Sequence, residues 1–335
     1  MFDSVPAYSA VLARCVLNTA GEGVDTRMLL RDAGLPQSVL TTEHGMVSSG
    51  AYLRLWENAE FRQEAPEVGL RIATTYRIGR FGIFDYLFST AATVAEGLAA
   101  VRRSSALMAT TNHHYRSAPD SSDSEHTMVL EMIDGDGRGA DLTIQAAYAS
   151  TLARIRHASG ASITPTRITL RQKPPRAMGA FVDAFGTAAI DFDAPFDSVT
   201  LRACDLALPL RTADPVLAEI VRGHAESLSA PLLDELSWPE QVQRALREML
   251  GGDDVSLNAV ARCLTVSPRT LQRHLAESGT TWRRELDLAR QTVARQAAET
   301  TTKSSLAHRL GYSDVRALRR AARRWDSGEE EQQAS

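Results

Sequence analysis

The sequence predicts an α+β N-terminal domain followed by an all-α C-terminal domain with two helix-turn-helix units joined by a long helix. Three observations support this. Over residues 1–225, helical periodicity mixes with short, non-adjacent stretches of alternating polarity, the pattern of an α+β domain. Over residues 239–325 only helical patterns occur, and the string SPRTLQRHL (Ser267 to Leu275) is echoed by YSDVRALRRAARRW (Tyr312 to Trp325). Charge is also segregated. The chain's net charge is −4, yet residues 239–325 carry sixteen Lys and Arg against nine Asp and Glu, a net of +7.

The remaining charge lies in residues 1–238, at −7, and in four acidic residues of the tail 326–335. A basic module on an acidic body is expected when one domain meets phosphates and the other does not. Only two lysines occur, so the positive charge is nearly all arginine. An arginine-rich composition explains the choice of cation but not its segregation. The boundaries read from composition are a domain at 1–225, a linker at 226–238 holding Pro231 and followed by Pro239, the helical module at 239–325, and an acidic, disordered tail at 326–335.

Several classes of protein do not fit. No apolar run approaches the roughly 18 residues that span a bilayer. The N-terminus has no basic segment before an apolar one, so no signal peptide is read. Cys15, Cys204 and Cys263 are far apart and form no CxxC pair, so neither a disulfide framework nor a cysteine zinc site is expected, and a reducing cytoplasm fits. No cofactor or metal motif is found.

In the first domain, helices are expected at Tyr8 to Asn18, Asp25 to Ala33 (ending at Gly34 with Pro36 beyond), Ser49 to Glu60 and Glu67 to Thr75, and another opens at Thr93. Phe81 to Phe88 is an apolar patch. Alternation from Thr127 to Ile133 and again from Thr166 to Arg171 predicts strands, with Asp134 to Gly139 as a turn between two of them. Helices follow at Ala146 to His157, Ala177 to Phe185 and Pro215 to Ser227, and Asp191 to Arg202 is extended.

In the second domain, Pro239 starts a helix with an apolar stripe of Val242, Leu246, Met249 and Leu250, ended by Gly251 and Gly252. Ser256 caps the next, with Leu257, Val260, Ala261 and Leu264 inward. After a turn at Thr265 and Val266, Ser267 is an N-cap and Pro268 occupies the first helical position. Leu271 and Leu275 then face the core, while Arg269, Gln272, Arg273 and Ala276 form the opposite face. This is what a recognition helix requires, since the arginine fork donates two bonds at once to guanine edges or phosphates. Thr281 to Glu299 reads as one long helix with Trp282, Leu286, Ala289, Val293 and Ala297 inward. The second unit runs from Lys303 to Leu310, turns at Gly311, and enters a helix with Leu318, Ala322 and Trp325 inward and Arg316, Arg319, Arg320 and Arg323 outward.

These residues closely resemble the DNA-binding domain of the AraC/XylS family of transcription regulators. The match lies in Ser267-Pro268-Arg269-Thr270-Leu271-Gln272-Arg273, then Leu310-Gly311-Tyr312-Ser313-Asp314 and Arg323-Arg324-Trp325. The resemblance implies sequence-specific binding of double-stranded DNA through two recognition helices. It places base contacts at Arg269, Thr270, Gln272 and Arg273, and at Arg316, Arg319 and Arg320. The chain departs from the pattern at Thr265, Lys303, Leu318 and Ala322, and in the segment after Trp325. The first unit is therefore expected to read sequence and the second to act mainly as a phosphate clamp.

The N-terminal region is similar to the arabinose-binding-like effector domain of one branch of that family. The similarity lies in Ala33-Gly34-Leu35-Pro36, Gly69-Leu70, Phe81-Gly82, Ser89 through Leu98, Phe185-Gly186 through Phe192, Leu208-Pro209-Leu210 and Asp214-Pro215. It implies control by a small-molecule effector, a homodimer, and RNA polymerase as a further partner. The alternative is a sensor with degraded DNA specificity that acts through protein partners.

Other residues offer weaker chemistry. His113 and His114 are adjacent, so in a strand they point to opposite faces and make a poor metal pair. Tyr148 and His157 fit either a ligand pocket or ordinary core and surface positions. Arg102 with Arg103, and Arg154 with Arg156, fit either an acidic effector or exposed helix charges. Ser104, Asp141 and His157 lack the local signature of a nucleophile elbow, so no enzyme is expected. Gly135 to Gly139 is not set between a strand and a helix of a βαβ unit, and reads as a turn.

Overall fold

A computed structural model describes residues 7–325 apart from 22–23, 43–44, 66, 110–112, 118–123, 133–136, 235–236, 251–254, 265, 298–305, 308–309, 313 and 323–324. The expected features at Gly251 and Gly252, Thr265, Lys303, Arg323 and the acidic tail lie outside the described residues. The chain divides into two units, 1–232 and 233–335.

The first unit opens with β1 (Ala7–Ser9), which pairs antiparallel with β2 (Met46–Ser48). Between them lie α1 (Ala10–Thr19) and α2 (Thr26–Ala33). Asp25 caps α2 by accepting from the backbone N–H groups of Arg27 and Met28, and Gly34 closes it at φ 75°, a left-handed conformation that glycine adopts without penalty. Then come α3 (Ser49–Gln63), α4 (Ile83–Ser89) and α5 (Val94–Arg103), the last capped by Thr93. Residues 67–75, expected as a helix, hold only a single 3-10 turn at Leu70–Ile72.

A five-stranded sheet follows, in the order β3-β4-β7-β5-β6. Its strands are β3 (His113–Ser117), β4 (Glu125–Met132), β5 (Arg167–Thr169), β6 (Ile190–Asp191) and β7 (Ser198–Arg202). All pairings are antiparallel except β5 with β6. Between β4 and β5 runs α6 (Arg138–Ser159), far longer than the helix expected from Ala146. Residues 133–136 of the expected turn lie outside the described residues, and Arg138 and Gly139 already belong to α6, so the segment leads into a helix and not into a second strand. Most of α6 is buried nearly all round, including Leu142, Ile144, Tyr148, Leu152 and Ile155. A helix buried on every side shows no amphipathic stripe, which is why its first two turns escape a periodicity reading. Helices α7 (Gly179–Phe185), α8 (Ala203–Leu206) and α9 (Pro215–Asp234) complete the unit. Residues 226–234 of the expected linker are helical, as the continuation of α9.

Packing in this unit is close. A Cβ at Gly97 would sit 2.8 Å from the Phe88 ring and from its carbonyl oxygen, so glycine lets α5 lie against α4. Tyr8 stacks on Tyr52 at 4.2 Å between ring centroids. Asp197, just before β7, is 9% exposed, and its Oδ1 accepts from the Arg171 backbone N–H at 2.8 Å. Burial pushes its carboxyl from the ordinary 3.8 up to about 6. The folded state thus bears the cost of a buried charge above pH 6 and loses that cost as pH falls towards 4. Asp197→Asn is expected to stabilise this unit by about 1–3 kcal/mol at pH 8. Thermal melts at pH 8 and pH 4.5 check this, because the gain must shrink at the lower pH.

The second unit holds α10 (Trp238–Met249), α11 (Leu257–Cys263), α12 (Pro268–Glu277) and α13 (Trp282–Ala297), then α14 over residues 315–322. Its core is built from Val242, Leu246, Val260, Ala261, Leu271, Leu275, Ala289 and Val293, with Leu306, Leu310 and Leu318 from the second helix-turn-helix. Met249, Leu257, Leu264, Trp282 and Leu286 pack against it partly buried. The side chain of Ala297 lies outside the described residues.

Candidate nucleic-acid interface and ligand cavity

Helix α12, which carries the first arginine face, begins where Ser267 leaves the extended backbone. The Ser267 hydroxyl accepts from the Thr270 N–H at 3.1 Å, and Pro268 follows at the first position. Leu271 and Leu275 are fully buried. Arg269, Gln272, Arg273 and Ala276 are exposed, on the side away from those leucines. Thr270 is half-buried and its Oγ1 lies 2.8 Å from the Ser267 Oγ, so its hydroxyl is engaged in the cap. Arg273 lies 3.6 Å from Glu277, an exposed pair that water screens and that contributes little.

Two residues that support this helix carried no signal in the sequence. His274 stacks on Trp238 with centroids 4.2 Å apart and planes within 2°, tying α12 to α10. Glu285 on α13 is 4% exposed and accepts from Gln243 Nε2 at 2.7 Å and from the Thr280 hydroxyl at 2.5 Å. A glutamate on an amphipathic helix reads as solvated in sequence. Here it is a buried acceptor fixing α10 to α13.

The second unit repeats the design. Gly311 turns the chain at φ 72°. The Tyr312 N–H donates to the Ala307 carbonyl at 2.9 Å, and the Arg290 guanidinium lies 4.7 Å from the Tyr312 ring centroid. Asp314 caps α14 by accepting from the Ala317 N–H at 2.7 Å. Arg316, Arg319 and Arg320 are exposed, and Leu318 is buried. The expected inward face needs one correction: Ala321 is buried at 1% exposure, while Ala322 is only half-buried. At 100° per residue, both alanines flank the Leu318 direction. The neighbouring elements pack on the Ala321 side. Helix α13, sixteen residues long, spans about 24 Å between the two helix-turn-helix motifs of the C-terminal unit.

The N-terminal unit contains a cavity of about 380 Å³. Its walls come from α1 (Leu12, Cys15), α3 (Tyr52, Trp56), α5 (Ala95, Leu98, Ala99, Val101, Arg102), β4 (His126, Met128) and α6 (Thr143, Ala146, Ala147, Ser150, Thr151, Arg154), with Ile72, Phe81, Met108 and Leu206. An apolar concavity with a few polar groups is the usual form of a small-molecule site. Arg154 is 4% exposed, and its Nε donates to Asp85 Oδ1 at 2.8 Å. Asp85 is fully buried and also accepts from the Tyr76 hydroxyl and the Phe81 N–H, both at 2.9 Å. Burial pushes the Cys15 thiol up to about 12, so it stays protonated.

Of the arginine pairs Arg102 with Arg103 and Arg154 with Arg156, Arg102 and Arg154 line this cavity and Arg103 and Arg156 do not. Arg156 instead donates to the carbonyls of Ile163, Ala184 and Phe185, holding the end of α7. Tyr148 is buried, and its hydroxyl accepts from the Leu130 N–H at 3.1 Å, a core role. His157 is exposed and packs edge-on to Tyr76. Asp141 and His157 are sixteen positions apart on α6, about 24 Å by helical rise, so they cannot join Ser104 in a triad. His113 and His114 are successive residues of β3, opposite Met132 and Glu131 of β4. Among the described residues no group of three or more His, Cys, Asp or Glu could hold a metal ion, and no helix is long and apolar enough to cross a membrane.

Residues 23–210 match the family model described as the arabinose-binding domain of AraC transcription regulators, N-terminal part. The chain is 26% identical over 330 residues to the ornithine utilization regulator of Pseudomonas aeruginosa, covering 93% of this chain and 92% of that protein. It is 27% identical over 313 residues to the HTH-type transcriptional regulator VirS of Mycobacterium tuberculosis, covering 90% and 88%. A solved structure of the transcriptional regulator CdpR from Pseudomonas aeruginosa aligns over 94% of this chain and 95% of that one, at 22% identity and a TM-score of 0.47. The family match spans more than half of the chain, and the two sequence relatives are regulators matched over almost their whole length. The chain belongs to the AraC family of transcription regulators and carries that family's arabinose-binding-like domain at its N-terminus.

Proposed function

We propose that this regulator binds promoter DNA sequence-specifically through α12, with α14 as a second contact, under control of a small molecule held in the N-terminal cavity. One observation carries the reading. A capped helix buries Leu271 and Leu275 completely while exposing Arg269, Gln272 and Arg273, and α14 repeats this with Arg316, Arg319 and Arg320 over Leu318. The apolar rear fixes each helix, and the exposed donors match base edges and phosphates. The relatives give no support to the alternative, a sensor acting only through protein partners. A homodimer and contact with RNA polymerase belong to this same proposal. The exposed Val216 and Ile220, one helical turn apart on α9, offer an apolar patch for a second copy.

A mobility-shift series on the DNA upstream of its own gene tests the reading. A sequence-selective shift is expected, with affinity falling steeply between 50 and 200 mM salt, by about 0.9 log units per log unit of salt for each phosphate neutralised. No selective shift at any salt concentration, with cell extract present or absent as an effector source, would overturn it.

A further inference from the structure

We propose that the N-terminal cavity takes an apolar monocarboxylate, with its hydrocarbon body among Trp56, Phe81 and Met128 and its carboxylate at the mouth on Arg102. This rests on the reading of the cavity as the effector site and adds the chemistry of the ligand. The polarity of the site is directional. The lining residues Cys15, Tyr52, Trp56, Phe81 and Arg154 are buried, whereas Arg102 and Ala95 of α5 are exposed and His126 of β4 is half-buried. The cavity therefore has a closed aromatic end and an open end formed by α5 and β4. The apolar part of a ligand gains most by entering the closed end.

Charge decides the other part. Among the described residues no aspartate or glutamate lines the cavity. Its two guanidinium groups are not equivalent. Arg154 is paired with Asp85, whose carboxylate is filled by Tyr76 and the Phe81 N–H as well, so that charge is neutralised within the fold. Arg102 has no carboxylate within ion-pair distance among the described residues. Its neighbour is His126, whose charged form is disfavoured by burial and then by Arg102 itself. Among the described residues the mouth thus presents one cation beside an imidazole whose charged form is disfavoured. That set suits a single carboxylate, since guanidinium binds it with two parallel bonds and excludes an amine by like charge. One uncompensated cation matches a monoanion and not a dianion.

The test uses the full chain and three eight-carbon probes, octanoate, octan-1-ol and octylamine, with binding measured by calorimetry. Octanoate is expected to bind at least about tenfold more tightly than octanol, the effect of a charge-assisted bond, and octylamine not to bind. Arg102→Gln should remove the preference for octanoate while leaving octanol binding unchanged. Arg102 is exposed near the end of α5, and an unaltered thermal melt confirms that the variant folds. Equal binding of octanoate and octanol, abolished in both by Ala99→Trp, would overturn the carboxylate assignment and leave the cavity as the effector site. Binding of none of the probes, or binding that survives Ala99→Trp in a variant that melts normally, would remove the cavity as that site.

Discussion

Arg154→Ala is expected to destabilise the N-terminal unit by about 3–5 kcal/mol, the cost of leaving a buried charge without its partner. Asp85 is fully buried and Arg154 almost so, and they meet at 2.8 Å. The Tyr76 hydroxyl and the Phe81 N–H would still donate to Asp85, but they are neutral and cannot balance a carboxylate. Replacing both members, as Asp85→Leu with Arg154→Leu, should recover much of the loss, because two apolar groups leave no orphaned charge. Calorimetry on the full chain reads this, since two units give two transitions and only that of the N-terminal unit should move. A loss below about 1 kcal/mol for Arg154→Ala would mean that Asp85 does not carry a buried charge. Arg154 also lines the N-terminal cavity, so under the proposed effector control this variant should weaken the response through the scaffold.

Arg273→Ala is expected to weaken binding to the operator by about 1–3 kcal/mol and to relax selectivity at one base pair. Arg273 is exposed on α12, and its only neighbour of opposite charge among the described residues is the equally exposed Glu277 at 3.6 Å. The substitution should therefore leave folding nearly unchanged, which a melt of the C-terminal unit verifies. Arg319→Ala on α14 is the contrast. If that helix clamps phosphates, the variant should lose affinity evenly across sequences and lower the salt slope by about one. A uniform loss from Arg273→Ala would assign Arg273 to the phosphates instead.

The C-terminal module was largely legible in the sequence because its physics is local. Helical period, the Ser267 cap, Pro268 at the first position and the Gly311 turn each declare themselves within a few residues, and the arginine faces follow from the same period. What escaped was set by neighbours. Whether Ala321 or Ala322 is buried depends on which side of α14 is covered. Glu285 becomes a structural acceptor only because Gln243 and Thr280 arrive from elsewhere. The N-terminal cavity was illegible for that reason in stronger form. Its walls come from α1, α3, α5, α6 and β4, widely separated in sequence. Its longest wall, α6, is buried almost all round and shows no stripe to read. Arg102, Arg103, Arg154 and Arg156 looked alike along the chain. Only packing separates an arginine at the mouth, one locked to Asp85, and one spent on the end of α7.

A hydroxyl-radical footprint of the full chain on its own upstream DNA tests most directly whether α12 and α14 read adjacent turns. The expected result is two protected patches about 10 base pairs apart, with sequence dependence in one patch lost in the Arg269→Ala, Arg273→Ala double variant. A single patch, or a pattern untouched by that double variant and erased by Arg316→Ala with Arg320→Ala, would contradict α12 as the reader of sequence.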